Sequence, residues 1–273
     1  MSLELVKEEA IPSQFKFSCL SIAGFDPTGG AGVAADLLTF SRLKVWGTAA
    51  VAVITGQNNA RVYRVEPISS KLLRSQVESV LEDFPIQAVK IGALGSRANL
   101  REVSRLIKGV GLRRVVVDPI LRARDGTRLM EEGGIRDYLN CLFPLATVIT
   151  PNLPEASEFT GLKVRSRKEM EKAARALSGS GAGAILVKGG HLERGAPRDL
   201  YYEKGEFFWI PGARRVPARI HGTGCLLSSA IAAFLARGKT TLASVLAAKA
   251  MISRAIINSQ RYPGWRYRIM IRK

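Results

Sequence analysis

Residues 17–43 read FSCLSIAGFDPTGGAGVAADLLTFSRL, and this stretch indicates how the fold begins. The largely apolar run Phe17–Ala23 predicts a buried strand, and the glycine-rich segment Gly24–Gly32 predicts a loop after it. Ala34–Leu43 carries apolar residues at helical spacing, which predicts a helix. A second apolar run, Thr48–Ile54, follows, so the stretch has the strand–loop–helix–strand order that is typical of a parallel sheet.

The same alternation continues along most of the chain. Helices are predicted over Ser69–Phe84, Leu100–Ile107, Lys168–Leu177, Cys225–Ala236 and Leu242–Asn258, and strands over Ala88–Ile91, Val115–Val117, Ala146–Ile149 and Ala184–Val187. Continuous apolar strands between amphipathic helices predict a mostly parallel central sheet covered on both faces, which is a three-layer α/β/α fold. Leu200–Ile210 alternates around Lys204-Gly205 and predicts an antiparallel hairpin at the edge of that sheet.

The composition excludes several classes of protein. The chain has 273 residues, of which 47% are hydrophobic and 23% charged, so a disordered chain is not expected. No apolar run approaches the roughly 18 residues that a membrane span needs. The first 14 residues lack the apolar segment of a secretory signal. Three widely spaced cysteines predict neither a disulfide framework nor a structural zinc site, and we expect a cytoplasmic protein.

The net charge is unusual at +18, with 41 basic and 23 acidic residues. A polyanionic partner would explain such a charge, but the basic residues are dispersed, which argues against nucleic acid. The exception is residues 261–273, with five cations and no acid. This tail is either a site for a second partner or a solvated segment whose aromatic residues pack back on the protein. We predict an extension over 1–14, one domain over 15–260 and a basic tail over 261–273.

Polar residues follow the predicted strands at the points where each strand ends. They include Asp26, Gln57, Asp118, Glu155 and Lys188. In an open parallel sheet, ligands bind outside the carboxyl ends of the strands, so these side chains are expected to converge on one small-molecule site. The chain contains no G-x-x-x-x-G-K-[ST] motif, which excludes the usual P-loop enzyme.

The segment Ile220–Cys225 reads IHGTGC and opens a predicted helix. Two glycines at a helix N-terminus allow backbone N–H groups to face an anion, and the helix dipole favours negative charge there. A cysteine in the first turn would have its thiolate stabilised, which suits proton transfer during phosphoryl transfer. The alternative is a buried helix start built of small residues with an inert cysteine. Spacing alone leaves both interpretations open.

Eight segments together carry a more specific signal. They are AGFDPTGGAG at 23–32, AADLLTF at 34–40, QN at 57–58, VKIG at 89–92, VVDP at 116–119, TPNLPEA at 150–156, VKGGH at 187–191 and HGTGC at 221–225. In order and spacing they resemble the hydroxymethylpyrimidine/phosphomethylpyrimidine kinases of thiamine biosynthesis, within the ribokinase-like superfamily. The NLPE and GTGC segments are the most specific of the set.

The resemblance implies an ATP-dependent kinase that phosphorylates 4-amino-5-hydroxymethyl-2-methylpyrimidine and then its monophosphate. It also implies Mg²⁺ as a cofactor and a homodimer. It places the acceptor against Gly24, Asp26, Gln57, Ala93, Ile120, Arg122 and His221. It assigns the ATP phosphates to Asn152, Glu155, Lys188 and Gly189, and Mg²⁺ to Asp118 and Glu155, partly through water. It gives the anion hole to Gly222, Thr223 and Gly224, and the catalytic base to Cys225.

The chain departs from the family pattern on the acceptor side. Phe25 replaces a small hydroxyl residue, Ala93 a methionine, Arg122 an apolar residue and Asp125 a serine. One hypothesis is that Phe25 fills the space beside Ala93, and another is that Arg122 reaches a substrate phosphate and favours the monophosphate. Two alternatives stay open: a kinase of the same fold acting on pyridoxal or a sugar-like alcohol, and a non-catalytic relative that binds nucleic acid.

Overall fold

The structure is a computed structural model that describes residues 11–190, 197–212, 222–257, 260–261 and 268–269. Its strands are β1 (Ser18–Phe25), β2 (Trp46–Gln57), β3 (Val62–Pro67), β4 (Ala88–Ile91), β5 (Val115–Val117), β6 (Val148–Ile149), β7 (Ile185–Val187), β8 (Arg198–Glu203), β9 (Glu206–Pro211), β10 (Gln260–Arg261) and β11 (Arg268–Ile269). Its helices are α1 (Gly32–Arg42), α2 (Ser70–Asp83), α3 (Arg97–Val110), α4 (Gly134–Asp137), α5 (Leu153–Thr160), α6 (Arg167–Ser178), α7 (Thr223–Ala236) and α8 (Thr241–Ile257).

The first nine strands form one sheet in the order β3-β2-β1-β4-β5-β6-β7-β8-β9. The six central strands pair in parallel with one another; they are β2, β1, β4, β5, β6 and β7. Strand β3 at one edge and strands β8 and β9 at the other edge pair antiparallel. The predicted parallel α/β sheet and its edge hairpin near residues 200–210 are therefore confirmed. Because consecutive parallel strands end on the same side of a sheet, the segments that follow them meet along one edge.

Two buried clusters cover opposite faces of the sheet. Neighbouring residues of one strand alternate between them: Leu20 lies in the cluster with α2, α3, α5 and α6, and Cys19 lies in the cluster with α1, α7 and α8. The three-layer α/β/α architecture predicted from the sequence is therefore confirmed. Its helices bury the apolar faces that the strands present on both sides, which is the dominant stabilising term in such a fold.

Side-chain caps set the first residue of several helices. The hydroxyls of Ser69 and Ser96 accept the backbone N–H of Leu72 and Asn99, so α2 and α3 begin at the following residues. An N-cap of this kind stabilises a helix by about 1 kcal/mol. The α3 helix therefore begins at Arg97, three residues earlier than the apolar periodicity predicts.

Three parts of the fold were not predicted. The edge strand β3 is short, has no buried residue and is interrupted by Arg64 and Glu66, so it contains no continuous apolar run. A run of short helical turns over 134–145 includes a π-helical segment, Tyr138–Leu142, that departs from the periodicity of 3.6. Helix α5 occupies a segment that we interpreted as a loop after a strand.

The predicted tail also contains structure. Strand β11 lies within it and pairs antiparallel with β10, which begins at Gln260 just before the tail; the sequence predicted neither strand. The rest of that tail, the first ten residues of the chain, His191 and His221 lie outside the described residues. Among the residues that the structure does describe, no helix combines the length and apolarity needed to cross a bilayer.

Candidate active site

A cavity of about 520 Å³ opens at the carboxyl edge of the parallel strands. Most of the predicted site residues line it: Gly24, Asp26, Gln57, Ala93, Asp118, Ile120, Arg122, Asn152, Glu155, Lys188, Gly222, Thr223, Gly224 and Cys225. Gly189 lies behind this wall, where its N–H donates to Asp199 Oδ1 at 2.9 Å. The predicted contact of His221 falls outside the described residues. Strand ends that are distant in sequence thus supply one concave site.

The glycine-rich loop after β1 closes on itself beside the cavity. Phe25 bridges to Gly32 in antiparallel fashion, and a Cβ on Gly32 would lie 2.1 Å from the carbonyl oxygen of Gly24. Gly32 also has φ of +61°, so glycine is required there for both reasons. The Asp26 carboxylate accepts the N–H and the hydroxyl of Thr28, each at 2.8 Å, which orders the loop around this buried acid.

Asp118 and Lys188 form a buried ion pair on the cavity wall. Asp118 follows β5, Lys188 follows β7, and their Oδ1 and Nζ atoms lie 2.6 Å apart. Thr150 donates to the same oxygen at 2.9 Å, and Ser228 donates to Oδ2 at 3.3 Å. Burial alone would raise the pKa of Asp118, but the charges of Lys188 and Lys90 and the hydrogen bonds from Lys188 and Thr150 together outweigh it and hold that pKa below its ordinary value. The carboxylate is therefore ionised at neutral pH.

Glu155 enters the site through the capping box that starts α5. Asn152 Oδ1 accepts the Glu155 N–H, and Glu155 Oε2 accepts the Asn152 N–H, both at 2.8 Å. Burial raises the pKa of Glu155 to about 7, against the opposing influence of Lys188. The Asn-x-x-Glu spacing is a signature of a helix start and would have predicted α5 from the sequence.

The burial of Glu155 gives a prediction for stability in the absence of a divalent cation. The pKa of Glu155 is about 7 in the folded chain, above the ordinary value of 4.5 for a glutamate. The contribution of Glu155 to the free energy of unfolding is therefore complete at low pH and is lost as the pH rises through 7. Glu155→Gln, which cannot ionise, is therefore expected to stabilise the chain at pH 8 by about 2 kcal/mol and to have little effect at pH 5. Urea denaturation with chelator at both pH values measures the difference.

A matched control for that prediction is Glu169, which occupies the same capping-box position in α6. Hydrogen bonds from the Arg165 N–H and from Ser166 lower the pKa of this exposed carboxyl. Glu169→Gln is therefore expected to destabilise the chain at pH 8, the opposite sign. A Glu155→Gln variant that is less stable than the parent at pH 8 would show that burial does not dominate at Glu155.

The first turn of α7 lies against the Asp118–Lys188 pair, since a Cβ on Gly224 would lie 3.5 Å from Lys188 Nζ and 3.7 Å from Asp118 Oδ2. A Cβ on Gly222 would lie 1.9 Å from the carbonyl oxygen of Gly30, and its φ of +78° also favours glycine. Cys225 is buried, and burial raises the pKa of its thiol to about 11. Burial therefore opposes the stabilisation of the thiolate that is expected at the helix N-terminus.

A short loop over 120–129 covers the mouth of the cavity. Arg122 bridges to Arg128 across this loop, its Nε donates to Glu158 Oε1 at 3.2 Å and its Nη1 to the Gly126 carbonyl at 3.4 Å. The predicted loop residue Asp125 accepts the Val62 N–H at 2.7 Å, which ties the loop to β3. The Phe25 side chain is 40% exposed, which argues against the hypothesis that it packs into the space beside Ala93.

Two charged residues of the site were missed from the sequence. Lys90 of β4 lines the cavity, and Asp36 of α1 pairs with it at 2.7 Å, with both side chains fully buried. Both stood inside matched segments, but neither was assigned a role. The sequence did contain a signal for this pair, which is the lysine within the apolar strand Ala88–Ile91. A buried lysine is costly unless a partner compensates its charge, so a buried acidic partner could have been expected.

Comparisons with known proteins identify a family model and several similar kinases. Residues 26–266 match the family model described as phosphomethylpyrimidine kinase. The hydroxymethylpyrimidine/phosphomethylpyrimidine kinase of Rhizobium meliloti (strain 1021) is 40% identical over 243 residues, covering 89% of this chain and 91% of that protein. The crystal structure of phosphomethylpyrimidine kinase from Clostridium difficile 630 is 36% identical with a TM-score of 0.79, covering 88% of this chain and 100% of that one.

A second structure resembles the chain about as closely. It is the pyridoxal kinase of Staphylococcus aureus in complex with AMP-PCP and pyridoxal, which is 32% identical with a TM-score of 0.84. The superposition covers 93% of this chain and 92% of that one. Sequence identity and backbone similarity thus rank the two kinases differently. We give more weight to identity, because a shared backbone does not decide which acceptor a site takes.

Proposed function

The chain belongs to the phosphomethylpyrimidine kinase family, and from that premise we propose that it phosphorylates hydroxymethylpyrimidine and then its monophosphate with ATP. The observation that carries the proposal is the convergence of Asp118, Glu155, Lys188 and the Gly222–Cys225 turn on one cavity. These groups supply what phosphoryl transfer needs, which is positive charge for the phosphates and an acceptor for the hydroxyl proton. Residues 15–260 form the kinase domain in this proposal.

The first transfer needs a base, whereas the second does not. The hydroxymethyl oxygen attacks the γ-phosphorus, the bond from that phosphorus to the bridging oxygen of ADP breaks, and Cys225 Sγ takes the hydroxyl proton. In the second transfer the attacking group is a phosphate oxygen, which is already anionic. Lys188 and the N–H groups at the start of α7 bind phosphate oxygens in both steps, since a helix N-terminus favours negative charge.

The acceptor side has its own set of residues. We assign the aminopyrimidine to Asp26 and Gln57, which line the cavity beside the glycine-rich loop. Gly24, Ala93 and Ile120 form an apolar wall around them. His221 is assigned to the acceptor side as well, because the family resemblance implies it. Asn152 and Gly189 belong to the ATP side, Gly189 by holding the turn after Lys188 through Asp199.

Mg²⁺ is part of the proposal, and the residues present fit it. Mg²⁺ is bound by one or two carboxylates together with substrate phosphates and water. Asp118 and Glu155 provide two carboxylates on one cavity wall, and the buried Glu155 would be held ionised by a cation. When bound, the ion would neutralise charge on the transferred phosphoryl group. We further propose a homodimer that acts in the cytoplasm, as the family resemblance implies.

An acceptor panel tests the proposed function. ADP release is measured with hydroxymethylpyrimidine and pyridoxal under identical conditions, and kcat/KM is expected to be at least about tenfold higher for hydroxymethylpyrimidine, a difference of about 1.4 kcal/mol. The likeness to the S. aureus pyridoxal kinase makes pyridoxal the second candidate acceptor. A preference for pyridoxal would overturn the acceptor assignment. If neither acceptor leads to ADP release and the chain binds RNA in a salt-sensitive manner, the non-catalytic alternative is favoured.

Arg122 gives a prediction about the second transfer. In the described state its guanidinium pairs with Glu158 at 3.2 Å, and we propose that a phosphate on the acceptor displaces that carboxylate. Because the arginine is partly exposed, Arg122→Ala is expected to lower kcat/KM for the monophosphate by about tenfold and to leave hydroxymethylpyrimidine unchanged. Arg128→Ala, which removes a cation from the same loop, is the matched control. An equal change on both acceptors with Arg122→Ala would rule out the specificity role.

A further inference from the structure

A buried ion pair lies against the cavity and has no part in the function described so far. Lys90 Nζ donates to Asp36 Oδ2 at 2.7 Å. Ser21 Oγ donates to the same carboxylate oxygen at 2.6 Å, and Ser229 Oγ donates to Oδ1 at 2.6 Å. Three donors from β1, β4 and α7 thus hold the Asp36 carboxylate in one position.

Stability does not explain why this pair is kept. Removing two charges from water costs several kcal/mol per ion, and apolar residues of similar volume often replace such a pair without loss. Both side chains are fully buried, so neither charge is solvated by water. The pair also needs room, because a Cβ on Gly92 would lie 2.9 Å from Lys90 Nζ. A functional role is therefore the better explanation.

The geometry connects the pair to Cys225. Lys90 and Cys225 line the same cavity, and α7 packs against β4. Ser229 follows Cys225 by four residues on α7, so both lie on one face of the helix, a single turn apart. The hydrogen bond from Ser229 to Asp36 therefore fixes the ion pair beside the first turn of α7, on the side that carries the thiol.

The charges around Cys225 come from several elements. Burial disfavours its thiolate, Lys90 of β4 favours it, and Asp36 of α1 and Asp118 after β5 disfavour it, so the pKa depends chiefly on burial and on Lys90. The backbone N–H of Gly32 also favours the thiolate. Lys188 after β7 interacts with the thiol as well, but it pairs with Asp118 and is assigned to ATP phosphates.

We infer that Lys90, held by Asp36, is a positioning residue that keeps a positive charge beside Cys225 so that its sulfur can accept the acceptor's hydroxyl proton. This inference rests on the proposed role of Cys225. Lys90 acts through the cysteine and is not assigned a contact with the substrate. The charge is fixed in place before ATP arrives, because Asp36 and its serine donors are all part of the folded core.

The test measures the thiol directly, without the kinase reaction. The full chain is alkylated with iodoacetamide from pH 6 to pH 11 without ATP, and mass spectrometry of peptides follows Cys225 separately from Cys19 and Cys141. Lys90→Met is expected to slow alkylation of Cys225 by about tenfold at pH 8, since the thiolate is the reactive form. Lys90→Arg retains the charge and is expected to restore the rate to within about threefold of the parent.

Two further variants keep the test decisive. Lys249→Met removes a lysine from another ion pair, with Asp199 at 2.6 Å, and is expected to leave the Cys225 profile unchanged. Because Lys90→Met leaves Asp36 unpaired and can impair folding, Asp36→Asn/Lys90→Met removes both charges while an amide retains the serine hydrogen bonds. It is expected to slow alkylation in the same direction. If Lys90→Met or Asp36→Asn/Lys90→Met folds and its pH profile of Cys225 alkylation matches that of the parent, the inference is overturned.

Kinase assays separate this inference from the proposed function. In Lys90→Met the first transfer is expected to require a higher pH to reach half its maximal rate, whereas the pH profile of the second transfer is unchanged. If the parent chain alkylates as expected but does not phosphorylate hydroxymethylpyrimidine, the proposed function is overturned and the electrostatic effect of Lys90 stands.

Discussion

Cys225→Ala is expected to lower the rate of the first phosphoryl transfer by about 10²–10⁴-fold, the usual contribution of a general base. The second transfer is expected to stay within about tenfold of the parent rate, because a phosphate oxygen needs no base to remove a proton. The structure makes this contrast sharp, since the thiol lies at the start of α7 among the groups assigned to the phosphates. Loss of the sulfur therefore removes a proton acceptor without removing phosphate-binding charge.

Single-turnover rates with hydroxymethylpyrimidine and with its monophosphate measure the two transfers separately. Cys19→Ala is the matched control, because Cys19 is a second buried thiol, on β1, with no contact to the cavity assigned to it. It reports the effect of removing a sulfur atom from the core. Equal and small losses in the two transfers with Cys225→Ala would contradict the role of proton acceptor.

The high pKa of the thiol bears on the same experiment. Burial raises the pKa of Cys225 to about 11 in the described state, so the thiolate is a minor species at neutral pH. The fixed charge of Lys90 lowers the barrier to forming it. The first transfer is accordingly expected to accelerate with rising pH more steeply than the second, and this difference is expected to disappear in Cys225→Ala.

The three layers of the fold and its mostly parallel sheet follow from features that the sequence displays. Strands such as Val115–Val117 are apolar on both faces because helices cover both sides, and this pattern is visible in the residues themselves. Edge strand β3 shows no such pattern, because none of its residues is buried and Arg64 and Glu66 interrupt its apolar residues. The π-helical turn at Tyr138–Leu142 depends on packing against α3 and α4, which no local pattern encodes.

The candidate site, like the fold, was predictable from the sequence only in part. Residues such as Asp118 and Lys188 were predictable because polar groups after parallel strands converge on one edge. Their mutual distance and its effect on pKa were not, since these depend on how far water is excluded from the cavity. The helix start at Cys225 illustrates the limit: the dipole is a local property, whereas the burial that raises the pKa of the thiol depends on how α7 packs against α1 and β4.

Lys188→Met is expected to slow both transfers by about 10²–10³-fold, the cost of removing one preorganised donor from a developing anion. Lys188 is assigned to the ATP phosphates, which are present in both steps, so the ratio of the two rates is expected to stay near that of the parent. This equal loss distinguishes it from Cys225→Ala. Nucleotide affinity, measured by calorimetry with ATP and Mg²⁺, is expected to fall as well.

The same substitution changes how stability depends on pH, because Asp118 loses its partner. In the parent chain Lys188 holds the pKa of Asp118 below its ordinary value, so the favourable contribution of Asp118 is present above that ordinary value and is lost as the pH falls. Without Lys188, burial is expected to raise that pKa, so the folded state binds a proton more tightly and stability falls as the pH rises from 5 to 8. Urea denaturation at these two pH values measures the reversal.

These two readouts separate a charge assigned to ATP from a purely structural lysine. If Lys188 served only to pair with Asp118, Lys188→Met would reverse the pH dependence of stability. The folded fraction of that variant would, however, retain the nucleotide affinity and both transfer rates of the parent. A loss confined to the first transfer would instead place Lys188 with Cys225 in proton transfer. Because the Nζ atom lies 2.6 Å from Asp118 and only 16% of its side chain is exposed, the ammonium has little water to replace that carboxylate. If Asp118 held Mg²⁺, as proposed, a phosphate oxygen would compensate the charge of Lys188, so the rates and the affinity are expected to fall together.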